Sequence, residues 1–433
     1  MDPLRVECPA GTVIGRADGE VLRFTGIRYA RAERFGRPEP EPPRDGEIAA
    51  TQWSPRCPQR ANPLQTAESE RRDMAVDEQC QYLSVTTPPD VGPGEVLPVM
   101  VWIHGGSYET GGGDETYSDP ALLVHEQHVI VVTITYRLGP LGFLGDGDRP
   151  ANLGLLDQVE ALRWVGRNIA AFGGDADTIT LFGQSAGADS VAHLMISEGA
   201  SGLFRRAIIQ SPPLGITLGR SAMAATMSGR LREFPAALTN EEMVQQQKHL
   251  VRGLGRFGWI AAMPFGIQYG HQPVPAESDL DDAWRRAAPA VDVLIGSNNR
   301  ETALFAELTP LFARLKGTRV GRRLYENAVT LTTRHIYDDA IDTFVDRHRS
   351  AGGRAERYLV DWGAGPRFQG AHVIELALLF PTHAWEVGEL LEGVALEEVR
   401  REGRPVRDMW AHFARTGRSD VTEIPGILKV FAA

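Results

Sequence analysis

The sequence is poor in cysteine: Cys8, Cys57 and Cys80 are the only three in 433 residues. No C-x-x-C pair or Cys/His spacing suggests zinc, and three cysteines do not make a disulfide framework. No apolar run approaches the ~20 residues of a membrane span. The longest stretches, such as Val129 to Thr133, read as buried strands. The start, Met1-Asp2-Pro3-Leu4-Arg5-Val6, has neither the charged opening nor the apolar centre of a secretory leader, so the expected location is cytoplasmic. Positive charge is also short: 45 Lys and Arg against 56 Asp and Glu leave −11. That balance argues against nucleic acid as a partner. Internal repeats, low-complexity segments and flexible linkers are missing too. The rest is 42% hydrophobic and 23% charged, an ordinary globular balance. The expectation is one domain, residues 1–433, with helical insertions.

Within that chain, residues 11 to 30 contain hairpin-like runs punctuated by Asp18-Gly19. Pro38 to Pro43 is too rich in proline for helix or central strand. Residues 58 to 79 are polar and charged, which reads as a loop. Apolar runs at Tyr82–Val85, Val99–Ile103, Ile130–Thr133 and Ile179–Leu181 read as strands. They are apolar on both faces, as in a sheet covered by helices on each side. Leu155 to Ile169 has helical periodicity. Strands follow at Arg206–Gln210 and Val291–Gly296, with a possible one at Arg357–Val360. Helical stretches fill the intervals, and an amphipathic helix runs from Glu398 to Thr416. Alternation of this kind predicts an α/β fold around a central, mostly parallel twisted sheet flanked by helices.

One hexapeptide stands out: Phe182-Gly183-Gln184-Ser185-Ala186-Gly187. It lies between a strand-like run and a helix-like run, the setting in which G-x-S-x-G holds a serine at the apex of a sharp turn. A serine nucleophile needs a base to take its proton and donors for the developing oxyanion. His104-Gly105-Gly106-Ser107 follows a strand, and its paired glycines leave backbone N–H groups unobstructed. Gly105, Gly106 and Ala186 would then form a three-donor oxyanion hole. The acid and the base are expected downstream, in that order. Glu301 follows the strand Val291–Gly296, but Asn298-Asn299-Arg300-Glu301 also resembles a capping box. Of the later histidines, His335 and His348 sit among charges and read as solvated, and His412 lies within a helix. His372, at a loop end before an apolar run, and His383, just after Pro381, remain the candidates for the base.

These residues resemble the type-B carboxylesterase/cholinesterase family of α/β hydrolases. Phe24-Thr25-Gly26-Ile27-Arg28-Tyr29-Ala30 is similar to its F-x-G-I-P-Y-A segment, and Asp77-Glu78-Gln79-Cys80-Gln81-Tyr82-Leu83 to its S-E-D-C-L-x-L. Similar matches run from Tyr136 to Leu144, from Asn152 to Val165 and from Asn168 to Asp175. The resemblance implies the α/β-hydrolase fold and a serine hydrolase acting on a small-molecule carboxylic ester through an acyl-enzyme, with no cofactor or metal. It assigns Glu301 through G-x-N-x-x-E and His372 through H-x-x-E-L. The same acyl-enzyme would serve an acyltransferase, lactonase or cyclase, and some family members are non-catalytic binding proteins. Three departures are visible: Gln184 stands where the family has Glu, Arg28 where it has Pro, and Pro212 where Gly is common. Cys57 and Cys80 match a pair that is disulfide-linked in many members. The loop between them lacks Trp, Tyr and Phe, which argues against choline esters.

Overall fold

A computed structural model describes residues 4–61, 74–92, 94–235, 237–363, 365–387 and 389–431. Most of the loop expected over 58–79 lies outside the described residues. Twelve strands follow one continuous path. The first four are β1 (Leu4–Cys8), β2 (Gly11–Asp18), β3 (Val21–Arg28) and β4 (Tyr82–Thr87). Next come β5 (Val99–Ile103), β6 (Ile130–Ile134), β7 (Thr180–Gln184) and β8 (Arg206–Gln210). The last are β9 (Asp292–Asn298), β10 (Ala355–Val360), β11 (Glu423–Ile424) and β12 (Leu428–Phe431). Their order across the sheet is β1-β2-β3-β4-β6-β5-β7-β8-β9-β10-β12-β11. From β6 to β10 the neighbours run parallel, and antiparallel strands extend both edges.

The parallel centre follows from its sequence. β5 (VMVWI) and β6 (IVVTI) are buried at every position and rich in β-branched residues. Alternate side chains enter separate cores. Val99, Val101, Ile103, Val132 and Leu181 lie on one face, and Met100, Trp102, Val131 and Phe182 on the other. Helix Leu153–Asn168 packs in the first core; helices Ile374–Leu379 and Leu396–Thr416 pack in the second.

Register brings the chemistry to one edge. Gly183 pairs with Ile103 on one side and Ile209 on the other, and Gln210 pairs with Gly296. The C-terminal ends of β5, β7 and β9 therefore stand side by side, where open α/β sheets carry their ligands. Expected and observed strands differ at the motif. β7 runs on through Gln184, so Phe182 and Gly183 are strand residues, and the turn is Ser185 alone before helix Ala186–Leu194. Among the described residues no helix is long and apolar enough to cross a membrane.

Candidate active site

Ser185 has φ 57° and ψ −123°, a conformation that non-glycine residues rarely adopt. Its N–H donates to Gln210 O at 2.9 Å, which fixes the turn to β8. The close crossing requires Gly187: a Cβ there would sit 2.0 Å from Ile103 O. The side chain of Ser185 is half-buried and faces open space.

The loop after β5 runs alongside. A Cβ on Gly105 would lie 2.5 Å from Gln184 O and 3.2 Å from Ser185 Cβ, so the two turns touch at this glycine. Gly106, Ser107 and Tyr108 all take positive φ (110°, 56° and 59°). Such strain persists only when the surroundings over-determine it. Tyr108 donates from its hydroxyl to Asp189 Oδ2 at 2.7 Å, in the helix that follows Ser185. Tyr136 donates to His104 O at 2.7 Å and stacks on the His104 ring at 4.4 Å. Burial lowers His104 to about 4, so this ring is neutral at ordinary pH. Among the described residues, the N–H groups of Gly105 and Gly106 have no protein acceptor. Ala186 opens its helix, where the first N–H groups have no intrahelical partner.

Glu301 is fully buried beyond β9 and both its oxygens are used. Oε1 accepts from Asn298 N–H at 2.7 Å, and Oε2 lies 2.5 Å from His372 Nδ1. One half of the capping box is therefore real, and the same carboxylate also holds the histidine. Asn298 does not act as a cap; its Nδ2 donates to Ala371 O and to Glu375 Oε2. His372 comes from the loop after β10, and Val373, next to it, has φ 69°, a rare value for a β-branched residue. Phe305 and Tyr337 flank the imidazole, each with its ring centre 5.5 Å away. Tyr337 sits in a π-helical turn, Arg334–Asp338, inserted between two α-helices.

Two features were not foreseen. First, Gln184 Nε2 lies 3.3 Å from His372 Nε2. With Nδ1–H directed at Glu301, Nε2 is the acceptor and the Gln184 amide the donor. Ser185 Oγ makes no hydrogen bond among the described residues. Second, Glu375 is buried behind Glu301. Burial and the Glu301 charge push its carboxyl up to about 7. The H-x-x-E spacing carried that signal.

Two cavities meet at Ser185. One, of about 460 Å³, is bounded by Gly105, Gly106, Gln184, His372, Trp102 and Trp385. The other, of about 380 Å³, is mostly apolar and is bounded by Met263, Tyr325, Val329, Ile336 and Tyr337. Ser107, Ser185 and Phe305 border both.

The remaining candidates fall elsewhere. His383 is exposed and pairs with Glu386 at 2.7 Å, and His412 pairs with Asp420 on the surface. His335 is exposed, as expected. His348 is not solvated: it is buried, stacked on Phe344, with Nε2 on Val291 O at 3.0 Å. The charges around it lie on the outer face of its helix and say nothing about the inner one. Trp102 lines the first cavity, whereas Tyr108 and Phe182 are core. Cys57 and Cys80 are both buried free thiols, so the loop is not closed by a disulfide. Cys57 Sγ accepts from Leu138 N–H at 3.2 Å. Among the described residues no cluster of His, Cys, Asp or Glu is suited to a metal ion.

Residues 2–347 match the carboxylesterase family. Para-nitrobenzyl esterase of Bacillus subtilis is 43% identical over 447 residues, covering 94% of this chain and 88% of that protein. A probable N-octanoylanthranilate hydrolase of Rhodococcus erythropolis is 34% identical over 427 residues, covering 95% and 93%. Among solved structures, a thermophilic PNB esterase superposes with a TM-score of 0.79 at 29% identity, over 97% of this chain and 92% of that one. The chain therefore belongs to the carboxylesterase family, as a serine hydrolase acting on small-molecule carboxylic esters.

Proposed function

We propose that Ser185, His372 and Glu301 are the catalytic triad and that Gly105, Gly106 and Ala186 supply the oxyanion hole. The observation that carries this reading is the 2.5 Å contact between Glu301 and His372 Nδ1, beside the cavity that Ser185 shares with His372. Glu301 fixes the tautomer that leaves Nε2 unprotonated, so that it can take the serine proton in place of the Gln184 hydrogen bond. Ser185 Oγ attacks the ester carbonyl as His372 takes its proton. The carbonyl oxygen gains charge beside N–H donors that are already in place, so little reorganisation is needed. Collapse expels the alcohol, protonated by His372, and leaves the acyl group on Ser185. Water activated by His372 then releases the acid.

The two cavities offer separate places for the two sides of the ester, and the one-domain reading is supported by a single sheet that holds both β1 and β12. Hydrolysis is favoured over acyl transfer on the names of the relatives. The test is product analysis with a p-nitrophenyl ester in the presence of competing alcohols and amines. Free acid as the dominant product supports the hydrolase; preferential ester or amide formation replaces it with a transferase.

A further inference from the structure

Seven of the thirteen large apolar side chains exposed among the described residues fall between Phe305 and Leu331. Helix Arg319–Thr333 carries Val320, Leu324 and Leu331 at 72%, 57% and 68% exposure. Their spacing, i, i+4 and i+11, puts them on one stripe. Phe305, Leu308 and Phe312, just ahead of the helix, are exposed as well. The opposite face of the same helix is already in use: Tyr325 and Val329 are buried and wall the apolar cavity that reaches Ser185. This helix is therefore apolar on two opposite faces, and only one is covered by the fold.

The charge around the stripe identifies what covers the other. Between residues 312 and 334 there are six cations (Arg314, Lys316, Arg319, Arg322, Arg323 and Arg334) and one anion, Glu326, in a chain whose net charge is −11. Lys316 pairs with Glu307 and Arg334 with Asp339. Arg314, Arg319, Arg322 and Arg323 are exposed and have no acidic partner among the described residues. A second copy packed stripe to stripe through a two-fold axis would bring these arginines against their own counterparts, which is repulsive. A surface that takes up apolar side chains and presents negative charge around them fits both features: an amphipathic helix rich in arginine lies in such an interface.

We propose that this face docks on an anionic lipid surface and sets the apolar cavity beside the bilayer, so that esters with long aliphatic chains reach Ser185 from the lipid. Docking itself is independent of the catalytic assignment, and Ser185→Ala protein binds the same vesicles. Only the delivery of substrate rests on the triad.

The experiment is co-sedimentation of the full chain with phosphatidylcholine vesicles, with and without phosphatidylglycerol. Binding is expected only with phosphatidylglycerol and weakens as salt is raised. Arg319→Gln/Arg323→Gln weakens it on the order of tenfold, and Val320→Ser/Leu324→Ser also weakens it. Hydrolysis of soluble p-nitrophenyl acetate stays at the wild-type rate in both, which shows that the fold is intact. The proposal is overturned if phosphatidylglycerol vesicles do not bind at low salt, or if neither double variant changes binding. It is equally overturned if sedimentation reveals a dimer that Val320→Ser/Leu324→Ser dissociates while vesicles remain unbound.

Discussion

Replacing Gln184 by Glu puts a negative charge where a neutral amide now faces His372. Gln184 Nε2 is 3.3 Å from His372 Nε2, and the side chain is 2% exposed. At ~4 Å and an effective dielectric near 20, a full charge stabilises an imidazolium by up to ~4 kcal/mol. Two effects reduce that figure. The new carboxylate loses hydration in a buried site, and it is repelled by the charge on Glu301. A net ~1.4–2.8 kcal/mol is expected, which moves the acidic limb of kcat/KM upward by ~1–2 pH units. Gln184→Met, similar in size and unable to donate, removes a hydrogen bond to the neutral imidazole, so the limb rises by less than about one unit, short of the Gln184→Glu shift. The assay is kcat/KM for a p-nitrophenyl ester across the acidic range, with circular dichroism as a check on folding. An unmoved limb in an active Gln184→Glu protein, or a shift toward lower pH, would refute the reasoning. Gln184 would then not sense the protonation of His372.

Glu301→Gln keeps the shape but permits the wrong imidazole tautomer, so kcat falls ~10³–10⁴-fold with KM little changed; steady-state kinetics test this, and a loss confined to KM contradicts it. Glu375 is raised in the folded state to about 7 from an ordinary ~4.5. The folded protein therefore binds more protons than the unfolded chain between those values. Its stability contribution is complete below ~4.5 and is lost as pH rises through ~7, by ~3 kcal/mol at most. Glu375→Gln removes this slope, so thermal melting at about pH 5 and about pH 8 shows the variant gaining on wild type at the higher pH; parallel curves refute it. Cys57 and Cys80 are free, so intact-mass analysis after alkylation in denaturant, without reductant, finds three modified thiols; one modified thiol would reveal the disulfide.

The central strands were legible because burial on both faces leaves runs of apolar and β-branched residues with no charge, as in Val99–Ile103 and Ile130–Ile134. The C-terminal strands β11 and β12 were not. Leu428–Phe431 is a short strand between β10 and the two-residue edge strand β11; its Lys429 and Phe431 face solvent, and four residues carry little periodicity. Glu301 looked ambiguous because it makes both contacts, one with each oxygen: Oε1 meets the Asn298 N–H and Oε2 meets His372. The choice of His372 over His383 depended on where a loop returns 71 residues after Glu301, which local pattern does not encode. The motif resemblance supplied that choice, and the structure brings the pair together independently. Gln184 was visible as a departure; its contact with His372 exists only once the loop after β10 folds over the end of β7.

The central claim is that Ser185 is a nucleophile activated by His372 and Glu301. Covalent labelling with a fluorophosphonate probe, mapped by peptide mass spectrometry, tests it most directly. The account predicts one probe per chain on the peptide containing Ser185, no labelling in Ser185→Ala, and labelling slowed by orders of magnitude in His372→Ala. A probe attached to another residue, or full esterase activity retained by purified Ser185→Ala, would contradict it.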